Sequence, residues 1–448
     1  MSVHMSTHAV GQAGYAASFE ARQAGAWQHE SPWMRKLRAD AMARFLAVGF
    51  PTTRDEEWKY TDVSPIVQLE AAPATHTPHL NGLASGGVDG FTFGGMKANR
   101  LVFVNGHYAP SLSQLQALPQ GITLGSLAEH LAHDSELVQE HLDRYARQTA
   151  PSPFTDLNTA FLQDGLFLHV PNNTVIVDPI HVLFLGKPDS VANFISPRNL
   201  VLAGANSQVT LIEHYASASS DAYFTNAVTE IVAGRGANVD HYKLQMEGEA
   251  AFHVATLQVQ QERDVRFASH AIDFGGRLVR NNGNAVMGGQ GIECTLNGLF
   301  LLHGEQHVDN HTVMDHAEPN CNSFEVVTGV LGGHSRGVFN GKIFVRRDAQ
   351  KTDAKQSNRN LLLSPDATIN TKPQLEIFAD DVKCTHGATI GQLDDEALFY
   401  LRARGIDRET ARGLLTYAFA NDVISGIKVE PVRAELEKEL FARLAQIR

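Results

Sequence analysis

Cysteine is scarce in this chain: three thiols, at 294, 321 and 384, in 448 residues. The gaps, 27 residues from 294 to 321 and 63 from 321 to 384, match no CxxC spacing. Three thiols cannot complete a four-cysteine site, so the chain carries no complete cluster site of its own. Nor do they support a disulfide framework, and a reducing cytoplasm fits best. Positive charge is also short. The formal net charge is -12, which argues against a nucleic-acid binder, since that needs a basic face. No run approaches the roughly 20 apolar residues of a membrane span. The start, "MSVHMSTHAVGQAGYAASF", has no apolar stretch of the secretory kind. An HExxH helix is missing too.

What remains is a foldable chain. Hydrophobic residues make up 43% and charged residues 19%, enough to bury a large core. Such a length suits two or three domains. The reading divides it into a mostly helical region at 1–160, a β-rich core at 161–390 and a helical domain at 391–448. In "SPWMRKLRADAMARFLAVG", Ser31 suits an N-cap, Pro32 the first helical position and Gly49 the stop, with Trp33, Leu37, Ala41 and Phe45 every four residues. "RLVFVNGHYAP" predicts a hairpin turning at Asn105-Gly106. "GSLAEHLAHDSELVQEHLDRYA" is spaced as helix.

From about 161 the period changes to short β-branched and aromatic runs, such as "NTVIVDPIHVLFL" and "SQVTLIEHYA". No helical stretch separates them until about 390, which counts against a βαβ fold. "LAGANSQVTL" and "VAGRGANVDH" align at an offset of 30, and Asn297-Gly298 aligns with Asn340-Gly341 at 43. Such irregular repetition predicts a right-handed parallel β-helix, a sandwich being the alternative. Beyond 391 an Asp-capped helix stops at Gly405, a second helix follows, and Pro431 opens the last. Its stripe of Val432, Leu436, Leu440 and Leu444 is either buried against the same chain or a docking face.

Two motifs invite metal or nucleotide readings. "GVFNGKI" at 337–343 has three residues between its glycines, and Ile343 follows Lys342. A phosphate loop needs four, then Ser or Thr, so ATP binding is not expected. His303, His307, His311, His316 and Cys321 crowd 19 residues. In a strand, a spacing of four separates side chains by roughly 13 Å, too far to share an ion. Solvated or hydrogen-bonded histidines are the favoured reading.

"GFPTTRDEEWKYT" (49–61), "NTAFLQDGLFLHVP" (158–171) and the long stretch from "TDAKQSNRNLLL" through "KCTHGATIGQLDDEALFYLRARGI" (352–406) resemble the SufB/SufD family of iron–sulfur cluster assembly proteins. The resemblance runs from about 49 to the C-terminus. It implies helical regions flanking a β-helix, and a scaffold without catalysis that pairs as a SufB–SufD heterodimer and binds the ATPase SufC. ATP would then enter only through SufC, and an iron–sulfur cluster only transiently. SufB-like chains carry cysteine where this one reads "LLLSPDATINTKPQLEIF", and Glu-His-Glu where it has Thr385-His386-Gly387. The chain is therefore more similar to SufD. The resemblance implies that His386 faces the SufB subunit as a shared cluster ligand, with Cys384 a weaker candidate. The alternative is that Cys384 packs inside and His386 only hydrogen-bonds across the seam. In isolation a homodimer without cofactor is expected. Outside this family, a metal carrier built on the histidine-rich segment or a β-helix carbohydrate-active enzyme remain as readings.

Overall fold

The structure, a computed structural model, describes residues 7–74, 87–133, 135–149, 151–188 and 192–444. The long strands from Ile180 to Gly391 alternate between two sheets, and nearly every partner is parallel. Each turn of the chain gives one strand to each sheet, so the core is a parallel β-solenoid. Turn length runs from 26 residues (Phe252 to Leu278) to 32 (Arg336 to Thr368).

The offset of 30 proves to be one turn: Ala203 is the register partner of Ala233, and Val209 that of Val239. The offset of 43 does not survive. Gly298 pairs with Ala271 and Val327 in one sheet, whereas Gly341 pairs with Thr312 in the other. Both glycines face inward, but from different sheets, so the two Asn-Gly pairs are not equivalent positions of successive turns.

One corner explains why Asn, Asp and Gly punctuate the strands. Asn206, Gly236, Asp264, Gly291 and Asn320 all adopt positive φ, which Gly, Asn and Asp tolerate best. Four of the five donate their backbone N–H to the next turn, as in Asn206 to Arg235 O and Gly236 to Arg263 O.

The local signals behave as the residues dictate. The helix Pro32–Val48 stops at Gly49, whose N–H donates to Phe45 O. Asn105 and Gly106 turn the antiparallel hairpin between Asn99–Val104 and His107–Tyr108. The spacing at 125–146 yields two short helices, Leu127–Ala132 and Glu136–His141. A further helix, Thr7–Ala24, falls in the region expected to be mostly helical and buries Tyr15 and Phe19. Residues 1–6 of the expected helical region lie outside the described residues.

Both sheets are covered over most of their length. Tyr15, Phe19, Trp27, Phe45, Phe154 and Phe161 build an aromatic cluster against Phe194 and Phe224 of one sheet. The helices Arg408–Ile424 and Glu430–Leu444 lay Ile424, Val432, Leu436 and Leu440, all fully buried, on Tyr242, Ile272 and Leu299 of the other. Of the two readings of the last helix's stripe, burial is the one observed. Strands wrapped on both faces read as continuous apolar runs, hence "HVLFL" and "LVLA".

Candidate functional site: the open end of the solenoid

The covering stops before the strands do. Thr368–Ile377 and Lys383–Gly391 end the two sheets, and neither has a further strand beyond it among the described residues. Their residues are mostly half-buried or exposed, unlike the strands beneath them. An edge of this kind presents a row of unpaired N–H and C=O groups.

His386 lies on that last strand and is exposed. The segment does not bend at Thr385-His386-Gly387; it stays a strand from Lys383 to Gly391, in register with Asp353–Leu361. Cys384 sits over Ala354 and His386 over Gln356. Ala354, Gln356, Asn358 and Asn360 are all buried, so theirs is the inward-facing set. Cys384 and His386 therefore share the face that continues the solenoid interior. Cys384 packs half-buried against the core cluster, and burial raises its thiol pKa.

Beneath His386 the interior is polar. Gln356 Nε2 donates to Glu325 Oε2 at 2.7 Å, both residues buried. Burial pushes the Glu325 carboxyl up to about 7. Glu325 also lines a cavity of about 70 Å³ inside the solenoid, with Thr312 nearby, His241 and Lys243 three turns back and Glu213 four. Lys243 is held there by Asp273 at 3.2 Å and Asn281 at 2.7 Å.

The strand Arg336–Val345 contains the segment that mimics a phosphate loop. Its glycine has another use: a Cβ at Gly341 would collide with the Gln356 amide. Lys342 pairs with Glu376 at 3.0 Å.

The histidine-rich segment is dispersed. His307 meets the Thr61 hydroxyl at 2.9 Å, and His311 meets Glu57 and Asp309, both at 3.1 Å. His316 points to the opposite side and contacts Ser323 at 2.8 Å. His303 lies in a turn near Glu249. No group of three or more metal-donor residues forms among the described residues. Cys294 and Cys321 are buried in the solenoid core, and burial raises the Cys294 thiol to about 12.

The partners of His307 and His311 explain the motif at 49–61. Residues 55–61 form a strap over the outer face of one sheet. Trp58 lies under the Arg280 guanidinium at 4.3 Å, and Arg280 pairs with Asp309 at 2.6 Å. The strap is a structural latch built from residues about 250 positions apart.

Sequence reasoning named His386 and Cys384 as candidates and did not name Glu325 or Gln356, the buried pair beneath them. A signal was present: in Ser323-Phe324-Glu325-Val326-Val327, a glutamate takes the inward position of an alternating strand.

Together these features define a two-sheet parallel β-solenoid protein, braced by helices on both flanks, whose last turn is left open. Residues 184–419 match the model of the SufBD core domain of SUF-system FeS cluster assembly, and residues 11–182 that of the SufBD N-terminal region. An iron–sulfur cluster assembly SufBD family protein of Synechocystis is 34% identical over 88% of this chain and 87% of its own length. The iron–sulfur cluster assembly protein SufD of Escherichia coli is 30% identical over 90% and 91%. SufD of Bacillus subtilis is 25% identical over 91% and 94%. The chain belongs to the SufBD family, is SufD-like, and has a role in iron–sulfur cluster assembly. No helix among the described residues is long and apolar enough to cross a membrane.

Proposed function

We infer that the chain is a non-catalytic scaffold subunit that pairs with SufB through the open end of its solenoid. Through its C-terminal helices it binds SufC, where ATP would be hydrolysed. His386 is read as a ligand shared across the seam with a nascent cluster, and Cys384 as a weaker one. The observation that carries this reading is the last turn: two uncovered edge strands with an exposed imidazole on the face that continues the interior. A cluster is cargo at such a place. Imidazole ligates iron and leaves more readily than thiolate, which suits a site that hands its cluster on.

Two further points support the partners. Edge strands invite a parallel or antiparallel partner strand, so the isolated chain should dimerise through the same edge that SufB takes in the complex. On the C-terminal helices, Leu440 serves the chain's own core and is not free to dock. Phe399, Tyr400, Leu414 and Phe441 are exposed on these helices, and the first three are assigned to SufC. The test is co-expression of tagged chain with SufB and SufC. A complex containing both, with the homodimer lost as SufB is titrated in, is the expected result. A monomer by light scattering at micromolar concentration, with no capture of SufB, would refute the reading.

A further inference from the structure

We propose that Gln356 is the positioning residue for His386. Its side-chain carbonyl accepts one imidazole N–H and so turns the other ring nitrogen toward the seam. This rests on the reading of His386 as a cluster ligand.

The argument begins with register. Gln356 is the residue directly beneath His386 in the parallel ladder, and neighbouring strands lie about 4.8 Å apart, within reach of an imidazole. Orientation comes next. The Gln356 amide nitrogen is committed to Glu325 Oε2 at 2.7 Å, as a carboxylate oxygen requires a donor. The amide oxygen is therefore the free end, and it is buried without a partner. Gly341 leaves the space in which this amide is seated, since any Cβ there would strike it. A buried carbonyl fixed in place and unpaired is costly unless something completes it.

The neighbouring amides separate this from a general property of the interior. Asn358 is spent on Val327 O and on the Asn360 amide. Asn360 also has a free buried oxygen, but its register partner is Ile390, which has no side-chain donor. Among the inward-facing residues of that strand, Gln356 alone puts an unpaired acceptor under a residue able to donate. A ligating histidine usually gives its second N–H to a carbonyl or carboxylate, which sets the tautomer and strengthens the ligand. Glu325 and Gln356 supply that arrangement from inside the solenoid.

The test uses the complex with its partner subunits, reconstituted anaerobically with iron(II) and sulfide and then reduced. Pulsed EPR reads the two imidazole nitrogens separately, and the rate of iron loss to a chelator reads ligand strength. Wild type should show imidazole nitrogen couplings that vanish in His386→Ala. Gln356→Met keeps the volume without the acceptor. It should retain the directly bound nitrogen, shift the quadrupole coupling of the remote one, and speed iron loss about 10–100-fold. Gln356→Glu combined with Glu325→Gln keeps the internal hydrogen bond in the reversed sense, offers a stronger acceptor and should move both readouts the opposite way. Absence of any imidazole coupling in wild type would sink the ligand reading and this inference with it. Couplings present and unchanged in both Gln356 variants would overturn the inference alone.

Discussion

Replacing Glu325 by glutamine should flatten part of the protein's pH dependence. Burial holds this carboxyl at about 7 rather than the ordinary 4.5, while in the unfolded chain it titrates near that ordinary value. The folded state thus binds more protons between those limits. Its stabilising contribution is complete below pH 4.5 and is lost as pH rises through about 7. At about 1.4 kcal/mol per pH unit, the loss between pH 5 and pH 8 is about 2–3 kcal/mol. Glutamine keeps the shape and can still accept from Gln356, but does not titrate. His214, His270 and His316, each held at about 4 by burial, slope the other way: their contribution is present above 6.5 and lost as pH falls. They occur in both proteins and cancel in the difference. Unfolding a chain of 448 residues as one unit carries an entropy near 1 kcal/mol per degree, so Tm should diverge by about 3 °C. Scanning calorimetry of wild type and Glu325→Gln from pH 5 to pH 8 measures it. The variant should gain on wild type steadily with rising pH. Two curves that run parallel across that range would refute the reasoning.

The other predictions are shorter. His386→Ala should cost little stability, because the ring is exposed on an edge strand, far less than the roughly 2–5 kcal/mol of a core truncation; assembly should persist while cluster yield, read by absorbance, falls sharply. Gly341→Ala forces a Cβ into the Gln356 amide and should destabilise by about 1–3 kcal/mol, measured by urea denaturation. The double variant Phe399→Glu with Tyr400→Glu should fold normally yet weaken SufC capture, because both rings are exposed. Truncation near residue 391 is no substitute, because it would uncover the apolar face beneath Val432, Leu436 and Leu440. Purified chain free of SufC should hydrolyse no ATP, the segment at 337–343 being a strand with Lys342 paired to Glu376.

How far the sequence could be read depended on the distance over which each feature is decided. Turns, caps and helix stops were legible because a few adjacent residues settle them. Asn105-Gly106 turns a hairpin, Gly405 at positive φ ends a helix, and the Asp394 carboxylate caps one. One full turn of the solenoid was visible as the offset of 30, since stacked corners demand Gly, Asn or Asp at matching positions. The resemblance, carried by a long uninterrupted stretch, pointed to His386. Other features were decided only by packing. The misleading offset of 43 came from two glycines that face inward from different sheets. Nothing near Glu57 or Thr61 announces that they meet His311 and Asp309. Whether Leu440 docks a partner or fills a core depends on which sheet face it meets. Glu325 and Gln356 become a clamp beneath His386 only because three successive strands stack in register. A residue's neighbours along the chain determine its backbone angles. Its burial, its pKa and its hydrogen-bond partners are set by residues tens to hundreds of positions away, which only the tertiary structure brings to it.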